Sequence, residues 1–142
     1  MNTKRFWMAF VAAYVVNQVL GFLIHGIWLD PVYQGMQDVF RPQEQMQPMM
    51  GILMFTAAVA TLMFCFVFTR GYENRGIGEG VRYGLYMGIF LSIVTSIDPH
   101  VIYPVPLDLT IKWFISSVVT FVVMGVVVAL IYKPPEGDVA AA

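Results

Sequence analysis

Four long apolar runs alternate with short polar clusters along this chain: Phe6–Leu29, Met49–Phe68, Val81–Ile97 and Leu109–Tyr132. Each has about the length, ~17–25 residues, that a helix needs to cross the hydrocarbon of a bilayer. Strands of a membrane barrel would show short stretches of alternating polarity, and these runs show none. The pattern predicts an all-α, polytopic membrane protein. A single four-helix transmembrane domain occupies 1–133, and residues 134–142 form a disordered tail.

The polar links are not all simple turns. After Asp30-Pro31, the apolar residues Val32, Met36, Val39 and Phe40 recur at helical spacing, with Gln34, Gln37, Asp38 and Arg41 on the other face. This predicts a short amphipathic helix over 31–40, lying at the membrane surface. Asp30 is expected to cap it, Pro31 to suit its first turn and Pro42 to end it. The second link, GYENRGIGEG, is short and glycine-rich, as a connection between adjacent antiparallel helices should be. No strand precedes its glycines, so they make no phosphate-binding fingerprint. The third link, DPHVIYPVPLD, holds three prolines. It is expected to leave the helix, run extended with Tyr103 as an interfacial anchor, and end where Asp108 caps the fourth helix. LDPVY closes the first run and IDPHV the third, which reads as one way of stopping a helix used twice.

Composition strengthens the membrane reading. Hydrophobic residues make up 58% of the chain and charged residues only 12%, where a soluble domain carries about a quarter. The mean hydropathy is +0.71. Lys4, Arg5, Arg70, Arg75, Arg82 and Lys133 fall on the side of both termini, and only Arg41 and Lys112 on the other. That bias predicts a multi-pass protein of the cytoplasmic (inner) membrane with both termini in the cytoplasm. The first run is too long for a signal-peptide core and no Ala-x-Ala-like site closes it, so it is read as a retained helix. Cys65, the single cysteine, reads as a buried thiol within the second helix.

Small residues give the packing signal. Gly80, Gly84, Gly88, Ser92 and Ser96 recur every four residues through the third helix, and Ala9, Ala13, Asn17, Gly21 and His25 do so through the first. Membrane helices associate through close backbone contact and hydrogen bonds, which small residues at this spacing permit. Both helices run in the same direction, so matching them by depth sets Asn17 beside Ser92 and His25 beside His100. A tight parallel pair of the first and third helices is therefore expected. Lys112, Ser116, Thr120 and Met124 repeat the device less cleanly in the fourth, where Lys112 is placed to pair with Asp108.

Ionisable groups inside a membrane are costly and therefore point to function. No carboxylate lies mid-membrane, and a coupled carrier of small solutes would need titratable groups at several depths. His25, Asp30, Asp98 and His100 all fall near the outer surface, offering imidazole and carboxylate ligands to a metal ion. Met36, Met46, Met49 and Met50 on that side would suit copper, or simply fill gaps. A haem between the two histidines is the other cofactor reading. Glycine–alanine contact between their helices would leave it no slot, so no cofactor is expected as the first reading. No Ser-His-Asp order, activated cysteine or acid–base cluster suggests an enzyme.

Gly26, Trp28 and Tyr33 close the first helix. In this the chain resembles small four-helix bacterial membrane proteins of unknown function, whose first helix ends with a glycine, a tryptophan and a nearby tyrosine. Asp30-Pro31 departs from their adjacent aromatic pair. The resemblance implies a layout, and no activity. Taken together, these features favour a protein that acts through contacts with the lipid bilayer and with other membrane subunits or itself, as an accessory or scaffolding subunit. No nucleic-acid partner is expected.

Overall fold

The computed structural model describes residues 2–133, and among them every regular element is helical. Helix α1 covers Thr3–Gly21 and continues without a break as a π-helical segment, Phe22–Trp28. Short helices α2 (Asp30–Gln34) and α3 (Gln43–Met46) follow, and a single 3-10 turn at Gln47–Met49 leads into α4, Met50–Arg70. Helices α5, Ile77–Ile102, and α6, Leu107–Ile131, complete the chain. Four helical stretches are long and apolar enough to cross a membrane: Thr3–Trp28, Gln43–Arg70, Ile77–Ile102 and Leu107–Ile131. The expected tail over 134–142 lies outside the described residues.

The third span is longer than the expected 81–97. Pro99 removes one backbone N–H and ends nothing, because the helix runs on through Ile102 until Tyr103 N–H donates to the Pro99 carbonyl at 2.8 Å. His100 therefore sits in the last turn of a helix and not in a loop. The surface segment differs in the other direction. Only Asp30–Gln34 is helical, and irregular turns carry the chain from Gly35 to Val39. Asp30 caps nothing; it is the first helical residue, and its carboxylate accepts from Gln34 Nε2 at 2.5 Å. Asp108 does not cap α6 either, since Pro106 precedes that helix and Asp108 lies in its first turn. There it pairs with Lys112 at 3.1 Å.

The glycine stripe packs α5 against α6. A Cβ added to Gly80 would meet the Gly125 carbonyl, and one on Gly84 would meet the Phe121 carbonyl. On Gly88 it would come within 3.1 Å of the Val118 Cα. One turn on, Ser92 Oγ donates to Ser117 Oγ at 2.7 Å. The partners descend along α6 as the stripe climbs α5, so the two helices are antiparallel. This corrects the expected parallel pair of first and third helices. Equal depth says only that residues share a height, whereas a four-residue link holds α5 and α6 side by side. Asn17 accordingly faces Thr61 of α4, at 3.5 Å, and not Ser92. Ala9 and Ala13 are buried against α4 and α6, among Phe64, Cys65, Met124 and Val128. Around Gly21 the space is open.

The bundle is tightest at the end that holds the termini. Phe64, Phe68, Tyr72, Tyr83 and Tyr132 interlock there, mostly edge to face, and Tyr83 donates to the Phe64 carbonyl at 2.6 Å. The adjoining loop is more than a flexible connector. Asn74 and Gly76 take φ of 58° and 68°, conformations that asparagine tolerates and glycine prefers. The buried carboxylate of Glu79 accepts the N–H groups of Glu73 at 2.6 Å and Arg75 at 2.9 Å, which folds the loop over the start of α5. At the far end the second span leans away, and every residue from Arg41 to Thr56 is exposed.

Candidate functional site

The far end holds a second, smaller core. Leu29, Val105 and Leu109 are fully buried there, with Ile24, Val32, Met36, Val39 and Phe40 packed around them. The apolar face read from the sequence at Val32, Met36, Val39 and Phe40 thus covers the bundle's own end. This core joins the π segment, α2 and the turns after it, the link before α6 and the start of α6. The π segment shows its wider winding in the bond from Leu29 N–H to the Ile24 carbonyl, 2.8 Å, five residues apart. Single π turns inside helices are often found at functional sites. Here the segment carries His25.

A hydrogen-bonded chain runs across these elements. Trp113 Nε1–H donates to the Tyr33 hydroxyl at 2.8 Å, and that hydroxyl lies 2.7 Å from His25 Nδ1. Indole nitrogen can only donate, so Tyr33 oxygen accepts from it and still has its own proton and a second lone pair for His25. Nδ1 accepts that proton or donates to the oxygen according to the tautomer, and in both cases Nε2 is the ring nitrogen left over. The His25 and Tyr33 rings stack, with centroids 6.1 Å apart and 13° between planes. Burial raises the Tyr33 phenol above its ordinary value, against the lowering effect of the Trp113 bond, so the hydroxyl stays a donor at neutral pH.

His100 does a different job. Its Nδ1–H donates to the Val105 carbonyl at 2.6 Å, which ties the last turn of α5 to the link before α6. Asp30 is engaged with Gln34, and Asp98 is exposed on α5. Among the described residues, no three His, Cys, Asp or Glu side chains gather as metal ligands would. Cys65 is a buried free thiol in α4.

Beside the chain lies a cleft of about 620 Å³, walled by His25, Phe40, Thr95, Ser96, Trp113 and Ser117, among others. Among the described residues, no charged side chain lines it. Thr95 and Tyr103 are exposed at its rim, so it opens to the surroundings. A second hollow, about 520 Å³, adjoins the loop at the opposite end, and its charged groups are already committed. Glu79 holds the loop and Glu73 pairs with Arg82 at 2.6 Å. The cleft at the far end is the site with an uncommitted imidazole nitrogen.

Of the residues singled out in the sequence, His25, Val39, Phe40, Ser96 and Tyr103 line this cleft. Ser92 braces its floor through Ser117. Trp113, Thr95 and Ser117 were not singled out. Tyr33 had drawn notice only as part of an aromatic ending, and nothing local marks Trp113, eighty residues away, as its partner. A family model described as "Protein of unknown function (DUF1761)" matches residues 8–129. No curated protein matches the chain. No solved structure matches it either. The match takes in the cleft and most of every span, and with it the multi-pass layout: the chain belongs to the DUF1761 family.

Proposed function

We propose that this membrane protein is a binding protein whose far-end cleft takes up a small uncharged molecule. One observation carries the reading: at the wall of a cleft of about 620 Å³, His25 has its Nδ1 engaged by Tyr33 and its Nε2 left over to meet a ligand. Ligand sites commonly have about 300–1,000 Å³, mostly apolar walls and a few placed polar groups. The Trp113–Tyr33 chain supplies the orientation, and the absence of charge from the walls selects against ions. Native mass spectrometry of the full chain, released from its own membranes, tests this. A retained small molecule, lost on Thr95→Phe, is the expected result; a bare wild-type chain overturns it.

A second reading rests on a separate observation. From Arg41 to Thr56 every residue is exposed, the Tyr14 hydroxyl reaching the Met54 carbonyl, and the stretch carries Met46, Met49, Met50 and Met54 with Gly51 between them. Methionine side chains adapt to varied apolar surfaces, and a glycine allows close helix approach. An apolar helix of another membrane subunit would fit there, which makes the chain an accessory subunit. A photo-crosslinker at Phe55 should then capture one partner band in native membranes. Capture of lipid alone would sink this reading. In either case the bias of the basic residues supports termini in the cytoplasm and a cleft on the outer side of the inner membrane. Reporter fusions to the C-terminus that are active only outside the cytoplasm would overturn that orientation.

A further inference from the structure

Resting on the binding reading above, we infer that the cleft's ligand is a planar ring bearing a carbonyl acceptor and an apolar tail, the chemistry of a membrane quinone. Three features of the site converge on that class. The first is the donor. His25 Nδ1 is engaged by Tyr33 at 2.7 Å, and in the tautomer in which Tyr33 donates, a neutral Nε2–H is left for a neutral acceptor such as a carbonyl oxygen.

The second is the wall. Phe40 and Trp113 meet edge to face at 6.0 Å, and Tyr33 adjoins both, which leaves an aromatic surface rigid enough to bind a flat ring by stacking. The indole cannot turn freely because its N–H is held by Tyr33. No charged group lies in the lining to favour a carboxylate, a phosphate or an amine.

The third is the exit. Thr95 at the rim is followed one helical turn deeper, on the same face of α5, by Leu91, whose side chain is exposed. A tail leaving the cleft along this face runs over apolar surface toward the middle of the span. A ligand drawn from the bilayer would reach the site by that path, its ring among the aromatic residues and its tail among lipid chains.

The test uses the full chain in phosphatidylcholine nanodiscs, with Trp7→Phe and Trp28→Phe so that Trp113 alone fluoresces. Both replaced indoles are exposed and outside the cleft. The probe is a decyl-substituted benzoquinone. Quenching is expected to saturate, and its half-point to rise about fivefold in His25→Phe, as the loss of one hydrogen bond implies. His25→Gln, which keeps an acceptor for Tyr33 and an N–H beyond it, should restore most of that loss. Thr95→Phe leaves the hydrogen-bonded chain untouched and should abolish saturation by filling the cleft. Monoolein, an ester carbonyl without a ring, should not compete.

Quenching that rises linearly with probe in the unsubstituted chain reports partitioning alone and overturns the inference. So does saturation that neither His25→Phe nor Thr95→Phe alters, or equal competition by monoolein. Should native mass spectrometry find a retained molecule of another class, the quinone assignment fails while the binding reading stands. A bare chain in that experiment removes both.

Discussion

The Gly125 carbonyl occupies the space that a side chain on Gly80 would need, and the Gly80 carbonyl occupies the space that one on Gly125 would need. This reciprocal contact brings α5 and α6 together at the level of their backbones. Dispersion between closely approaching main chains, and not expulsion of water, is what holds helices together in lipid. Gly80→Val should therefore lower stability by about 1–3 kcal/mol, the usual cost of overpacking. Gly78→Ala, where a Cβ meets nothing, should stay within ~0.5 kcal/mol of the parent. Thermal unfolding of both variants in one detergent compares them.

Removing the Tyr33 hydroxyl should cost more than removing its indole donor. Tyr33→Phe leaves Trp113 Nε1–H and His25 Nδ1 both without their partner, whereas Trp113→Phe leaves the Tyr33–His25 bond in place. Losing one hydrogen bond costs about 1 kcal/mol, and stranding a buried group adds to that. Tyr33→Phe is expected to give the larger loss of stability. Equal losses in denaturant titrations would show that Tyr33 does not link the two rings.

Glu79 should govern the loop at the terminal end. Glu79→Ala deprives the Glu73 and Arg75 amides of their acceptor, at a cost of about 1–3 kcal/mol if they stay buried. Faster hydrogen exchange at those two amides is the local signature, with exchange in the middle of α6 unchanged.

Glu73 gives a pH dependence of known sign. The Arg82 hydrogen bond, with the Arg75 charge in support and slight burial opposing, holds its carboxyl below the usual glutamate range. A lowered folded-state value means that its stabilising contribution is complete above the unfolded value. That contribution is lost as the pH falls through the folded one. The difference in melting temperature between the parent and Glu73→Gln should thus be present at neutral pH and vanish in acid. Because the pair is exposed, added salt should shrink it too.

The cleft was legible only in pieces. His25 drew attention because an imidazole in an apolar run is costly, and Tyr33 because it belonged to an aromatic ending. What joins them is a π turn, and π turns have no composition that marks them. Pro99 shows the converse. A proline lowers the odds of continuing a helix, but here the carbonyls and the His100 imidazole beyond it find partners, so the helix goes on.

The chain's own order of residues determined the four spans, because hydropathy summed over twenty positions outweighs any local preference. It also determined which positions on α5 are small enough for close approach. Tertiary structure alone decided which helix fills that stripe. It paired Gly80 with Gly125 and Ser92 with Ser117, and carried Trp113 to Tyr33 across eighty residues. The reason is physical: burial and spacing depend on neighbours along the chain, whereas a hydrogen bond or a backbone contact between helices depends on how the helices are arranged in space.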